Sequence, residues 1–405
     1  MVVHIRSKIK VNSSIHWKFD KYTVLFFLFL ITPIMDTING WYVLGHGETG
    51  VSIGTFYRLA ILFNIFVCFK FNKKDWYIIV ISTYFPISSA LRAKFDGLAF
   101  MSAFTYGLKW MLPIIYILLY YHISKRNDLN IPLKVINIWK YLIPIILITE
   151  YLVGIGEAAY TDAGFKGYFY CTNDIGFSLT MLSIFSLYYF LVVKMNVRNF
   201  IPVLLNMGAI IILSTKSCMI FTMITIIYFL INKFKKSFVK FIPSLIVIFL
   251  AILVLMYKMQ DSISGIINRY SYFYGQTAGK SMSFENIMGF LTSARTYRIS
   301  NAITDLTTNF SFTKLLFGWR KPIFSGAIEM DWLDVLFQHG VIGLVILFFF
   351  YIGIIIKRKY KTPYQYMLII AMICACFSGH VLNGALPSTV FSIIVGAAIY
   401  SMNFS

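Results

Sequence analysis

Acidic side chains are scarce in this chain. Its 405 residues carry 16 Asp and Glu against 36 Lys and Arg, a formal net charge of +20. Charge of either sign is thin, at 13% of residues, where a soluble domain carries about 25%. With 59% apolar residues, so little charge excludes a water-soluble globular protein and indicates a membrane protein. Few of the basic residues lie in soluble segments, so membrane orientation and anionic ligands explain the surplus better than nucleic acid does. Cysteine is sparse too. Cys68, Cys171, Cys218, Cys374 and Cys376 form no C-x-x-C pair, which argues against a disulfide frame or metal module and for small core residues. There is no H-E-x-x-H, G-x-S-x-G, P-loop or G-x-G-x-x-G, so no metal, ATP or dinucleotide cofactor is expected. Glu329-x-Asp331 is the nearest approach to a metal-binding acidic pair.

Long apolar runs are abundant. Twelve predict membrane helices in an all-α, polytopic fold: 22–42, 52–70, 76–91, 98–121, 135–155, 173–193, 199–215, 217–232, 238–257, 332–356, 363–380 and 385–402. With residues 1–21 as a basic cytoplasmic N-terminus, alternation puts 21 of the 36 basic residues on inner segments. Short outer joints hold only Arg92, Lys94, Lys166 and Lys216, so the positive-inside rule is obeyed. Runs one to nine occupy 22–257, and the last three occupy 332–405. Between them, 258–331 is too long for a passive connector and reads as an extracytoplasmic loop. Its Tyr270–Tyr274 cluster suits a membrane interface or a sugar. Ser293 is placed to cap a helix to about Asn309, with Ile299, Ile303, Leu306 and Phe310 on one stripe and Arg295, Arg298 and Asp305 on the next.

Ionisable residues inside apolar runs are costly and mark function. Arg58, Arg92, Lys94, Lys109, Glu150, Asp174 and Lys216 all fall toward the outer side. With the loop arginines they form a basic constellation, whose self-repulsion an anionic ligand relieves; a lipid-linked diphosphate fits. Glu329 is the best-placed carboxylate to act as a base, or else an acid at the start of the tenth run, a role that suits Asp331 better. His380 ends the eleventh run on the outer side and is a candidate for binding sugar.

An ordered set of motifs adds to this. It comprises Gly167-Tyr168-Phe169 with Asn173, Leu213-Ser214-Thr215-Lys216-Ser217, Ser293-Ala294-Arg295, Phe317-Gly318, and Glu329 to Leu333 followed by His339-Gly340-Val341-Ile342-Gly343. The order resembles the O-antigen polymerase and O-antigen ligase superfamily, most of all its capsular and exopolysaccharide repeat-unit polymerases, over roughly residues 160–400. The resemblance implies a metal-independent, multi-pass glycosyltransferase of the bacterial cytoplasmic membrane. It would act at the outer face on undecaprenyl-diphosphate-linked oligosaccharide, beside a flippase and a chain-length regulator. It also implies catalytic roles for Lys216 and Arg295, with Glu329 where many relatives have histidine; Arg298, Arg58, Arg92, Lys109, Asn173, His380 and Asp331 are the residues expected to contact substrate around them. Lys216 in place of arginine keeps charge but loses the bidentate fork. A ligase that moves glycan to another acceptor stays open, as does a flippase or transporter, although no matching halves are visible.

Overall fold

The computed structural model describes residues 21–46, 52–124, 130–160, 163–236, 295–308, 310–322, 327–355, 363–377 and 379–403. The N-terminal stretch before Lys21, the ninth apolar run 238–257, Tyr270–Tyr274, Ser293 and the first half of the 258–331 segment lie outside the described residues. The described chain is almost all helical: α1 (Lys21–Leu30), α2 (Thr32–His46), α3 (Ile53–Cys68), α4 (Lys73–Ser82), α5 (Tyr84–Asp96), α6 (Phe100–Ser124), α7 (Ile131–Val153), α8 (Thr172–Tyr188, continued by a π-helical turn Tyr189–Val193), α9 (Val197–Leu213), α10 (Lys216–Lys236), α11 (Arg295–Thr308), α12 (Phe312–Phe317), α13 (Asp331–Ile355), α14 (Tyr364–Phe377) and α15 (Ala385–Asn403). A small antiparallel hairpin, β1 (Glu157–Tyr160) with β2 (Ala163–Gly167), joins α7 to α8.

Helix ends follow local chemistry. Asn72 and Asp75 form a reciprocal capping box at α4. The Asn130 and Asn196 side chains accept amide bonds at the starts of α7 and α9. Both α8 and α15 are buried almost all round, as helices at the centre of a bundle must be. Along α8, Ser178, Thr180 and Ser186 donate to carbonyls four residues back. That satisfies their hydroxyls, and small residues let neighbouring helices approach closely. The outer helices leave Phe56, Phe63, Leu91 and Phe349 exposed, which suits hydrocarbon rather than water.

The architecture is that of a membrane protein, but the expected twelve spans are corrected. Four helices are long and apolar enough to cross a bilayer: Phe100–Ile123, Ile131–Val153, Thr172–Val193 and Asp331–Ile354. The pair α1 and α2, bent by 48°, raises this to five among the described residues. The 76–91 run is broken at Thr83 into α4 and α5. The runs at α3, α9, α10, α14 and α15 give apolar helices of 10–17 residues. At about 1.5 Å per residue they reach at most about 26 Å, short of a hydrocarbon core of about 30 Å. An apolar run predicts burial, and burial against protein needs no full crossing.

The second half of the 258–331 segment folds onto the bundle. The expected helix forms as α11, but its buried face carries Arg295 and Ala302, while Ile303 and Phe310 are exposed. Ile299, Ile328, Trp319 and Phe337 pack around Ala302. The helix therefore docks on protein through a narrower stripe than its sequence suggests. Gly340 interrupts α13 with φ 69° and ψ −172°. A Cβ there would come within 2.1 Å of the Leu316 oxygen, and one on Gly318 within 2.3 Å of the Gln338 oxygen. Two glycines thus let the end of α12 lie against the break in α13.

Candidate functional site

The site forms where the start of α13, the turn after α14, α11 and the start of α8 converge. Glu329 sits two residues before α13 with φ 70°, a left-handed conformation costly for a residue with a side chain. That conformation accompanies a side chain directed at α11. Arg295 Nη2 donates to Glu329 Oε2 at 3.0 Å and Arg298 Nη1 to Oε1 at 3.0 Å. Asn173 Nδ2, in the first turn of α8, donates to Oε2 at 3.2 Å. The other nitrogen of the Arg295 fork donates to the Phe377 oxygen at 2.8 Å. The Arg295 side chain is 10% exposed, Arg298 48% and Glu329 27%. One guanidinium is therefore built in, and the other is open to a ligand.

Burial works against ionisation of Glu329, but His380 beside it, the Arg295 charge and the hydrogen bonds from Arg295 and Arg298 outweigh it and hold the carboxyl below its ordinary value. Beside it, His380 lies in the turn after α14 with φ 63°. Burial brings its imidazole down to about 4, so it is neutral at pH 7. Its Nδ1 stands 3.7 Å from Asp174 Oδ1.

Two carboxylates fasten this arrangement. Asp331 accepts the amides of His380, Val381 and Leu382 at 2.7, 2.8 and 2.9 Å. Asp334 accepts those of Ile328, Glu329 and Met330. Asp331, expected among the substrate contacts, is thus committed to holding the His380 turn. The capping role considered for Glu329 falls to Asp334. Replacing Asp331 by Ala leaves three buried amides without acceptors, at roughly 1–3 kcal/mol each where burial persists. Asp331→Ala is expected to lower the unfolding midpoint in detergent by several degrees, with Asp331→Asn intermediate. An unchanged midpoint in a thermal scan would show that these bonds contribute nothing.

Other expected residues are distributed around this centre. Lys109 lies over the rings of Tyr106 and Tyr170, 5.6 and 5.7 Å from their centroids, within electrostatic reach of Asp36 and Asp174. Arg58 and the buried Asp36 line one small cavity with Tyr57 and Tyr116. Lys216 opens α10 just after Ser214, which ends α9 with φ 58°. The joint packs on α8, because a Cβ on Gly176 would meet Thr215 Oγ1 at 3.3 Å. The Lys216 side chain lies outside the described residues. Arg92 stands apart. Its guanidinium serves the carbonyls of Gln338, Phe317 and Arg320 and pairs with Asp96 at 3.1 Å. It braces the α12–α13 contact.

Sequence reasoning missed Asp36 and the hairpin. Asp36 sits inside the first apolar run, and that position was signal enough. The hairpin carries Gly164 and Gly167 at positive φ, and its exit residue Tyr168 donates its amide to Glu150 at 3.2 Å. The Gly-x-Phe-x(3)-Asn motif is thereby the path that brings Asn173 to Glu329. Cys171, expected only as a core residue, offers its sulfur within 4.8 Å of ligand atoms of Asp174 and His380. Three such donors can hold a metal ion, but Lys109, Arg295 and Arg298 all bear on His380, and their charge opposes a cation there.

No known family, curated protein or solved structure matches the chain.

Proposed function

We propose that this protein is a membrane glycosyltransferase that polymerises lipid-linked glycan repeat units. The donor is an undecaprenyl-diphosphate-linked oligosaccharide, and the acceptor is a sugar hydroxyl on a second lipid-linked unit. The observation that carries this reading is Glu329, held between Arg295 and Arg298 with Asn173 and His380 beside it, at one end of a bundle of apolar helices. A carboxylate in the grip of two guanidiniums is a place where a diphosphate can compete. When donor phosphates take over Arg298 and part of Arg295, Glu329 loses its counter-charges in a buried setting and becomes a stronger base. The acceptor oxygen then attacks the anomeric carbon, the carbon–oxygen bond to the diphosphate breaks, and Glu329 takes the hydroxyl proton. Negative charge builds on the leaving diphosphate, where Arg295, Arg298 and Lys109 stabilise it without a metal, joined by Lys216 as the resemblance implies. In this reading the Glu329 end of the bundle faces the outer side of a bacterial cytoplasmic membrane, where a flippase delivers the donor.

The test is reconstitution in nanodiscs with purified undecaprenyl-diphosphate-linked repeat units. A ladder of polymer that persists in excess chelator is the expected result. Transfer of single units to a different lipid, with no ladder, would make the protein a ligase. An unconsumed donor would overturn both, and loss of the ladder on chelation would turn attention to Cys171, Asp174 and His380.

A further inference from the structure

The largest cavity among those described lies far from Glu329. It occupies about 1040 Å³, at the top of the range for small-ligand pockets, about 300–1000 Å³. Its walls are α4, the second half of α6, the last turns of α13 and Ile399 of α15. Glu329 precedes the first turn of α13, whereas this groove uses Val345 to Ile354, so the two sites lie toward opposite ends of that helix. From Asn72 to Ser82, and again from Val345 to Ile354, the walls run about 14 Å at 1.5 Å per residue. That is close to half of a hydrocarbon core of about 30 Å, or one leaflet.

The charged residues of the groove gather at one end. Ile78, Ile81, Ile117, Phe349 and Ile354 line its length, and Lys73 and Lys74 stand at its mouth. Both lysines are exposed, and neither pairs with a carboxylate among the described residues. The acidic residue beside them, Asp75, also lines the groove, but it is buried and its carboxylate is already engaged. Its Oδ2 accepts the Asn72 amide at 3.2 Å and is held by the His122 ring. The capping box occupies the Asp75 amide, and the positive end of the α4 dipole lies at the same end of the groove as the two lysines. Two cations above an apolar slot one leaflet deep match a single amphiphile: an anionic head on a hydrocarbon chain.

We infer that this groove binds an anionic phospholipid of the leaflet on the Lys73 side, with its phosphate against Lys73 and Lys74 and an acyl chain along Ile81 and Phe349. The inference is independent of the proposed glycosyl transfer and survives its failure. Gly353 supplies a clean probe, because it lines the groove and a Cβ there meets nothing within 4 Å. A side chain can therefore start from this position into the slot.

The whole protein is placed in nanodiscs of equal parts phosphatidylglycerol and phosphatidylcholine, each carrying a photoreactive acyl chain in separate samples. After illumination, lipid-modified peptides are mapped by mass spectrometry. Wild type is expected to label α4 and the end of α13 with phosphatidylglycerol at least fivefold over phosphatidylcholine, a preference of the size each lysine near a membrane surface provides, about fivefold. The double variant Lys73→Ala, Lys74→Ala is expected to lose that preference while still labelling weakly. Gly353→Phe is expected to lose labelling by both lipids. Should a variant fold poorly, the wild-type comparison of the two lipids still decides. Equal labelling by both lipids in wild type overturns the inference, as does undiminished preference in the double variant. Cross-links from groove residues to 238–257 of this chain overturn it as well, since the slot would then be filled by protein.

Discussion

Arg295→Ala is expected to cut polymer formation severely while the protein still reaches the membrane at near-normal level. Arg295 is the buried arm of the pair, and its fork is divided between Glu329 and the Phe377 carbonyl. Charge-assisted bonds contribute about 1.5–3 kcal/mol each. If a developing diphosphate charge takes two of them, the rate falls by roughly a hundredfold or more. Arg295→Lys is expected to recover a small fraction, because a point charge cannot span both acceptors. Arg298→Ala is expected to be milder and to act mainly on donor affinity, since that side chain is half exposed. A reconstituted assay at varied donor concentration separates these cases. Full-length polymer from Arg295→Ala at the normal rate would remove the diphosphate from this site.

Glu329→Gln is expected to reduce turnover by about 10²–10⁴, the usual contribution of a positioned base. Glutamine keeps the size and accepts hydrogen bonds, but it takes no proton at neutral pH. A second consequence separates a base from a structural acid. Removing the carboxylate leaves Arg295 and Arg298 without their counter-charge, so donor should bind more tightly even as turnover falls. A lower KM with a much lower kcat is the signature. A residue that only positioned α13 would change both slightly, by about 0.3–1 kcal/mol for a helix-end charge. Wild-type rate and polymer length in Glu329→Gln would end the assignment. His380 would then be the group to test, as a neutral imidazole beside the same carboxylate.

Composition alone determined that this protein belongs in a membrane: the scarcity of charge and the length of the apolar runs permit no water-facing fold. Local patterns were also legible. A helix follows Ser293 over nearly the expected residues, although Arg295 and Ala302 rather than Ile303 occupy its buried face. The pairing of Arg295, Arg298 and Asn173 with Glu329 was legible only as a set of residue types in order, because they come from α11, α8 and the approach to α13. Tertiary structure decided the rest. It decided how many runs form helices long and apolar enough to cross, because periodicity and hydropathy register burial but do not distinguish lipid from protein as the burying medium. It gave the Asp331 carboxylate three amides from 49 to 51 residues away, a clasp its place in the chain does not reveal. Arg92 went to the break at Gly340, where carbonyls freed by a left-handed glycine need a donor. An ionisable residue in an apolar run must find a partner, and the chain determines that need. Which partner answers it depends on distances between helices, and those are set by packing.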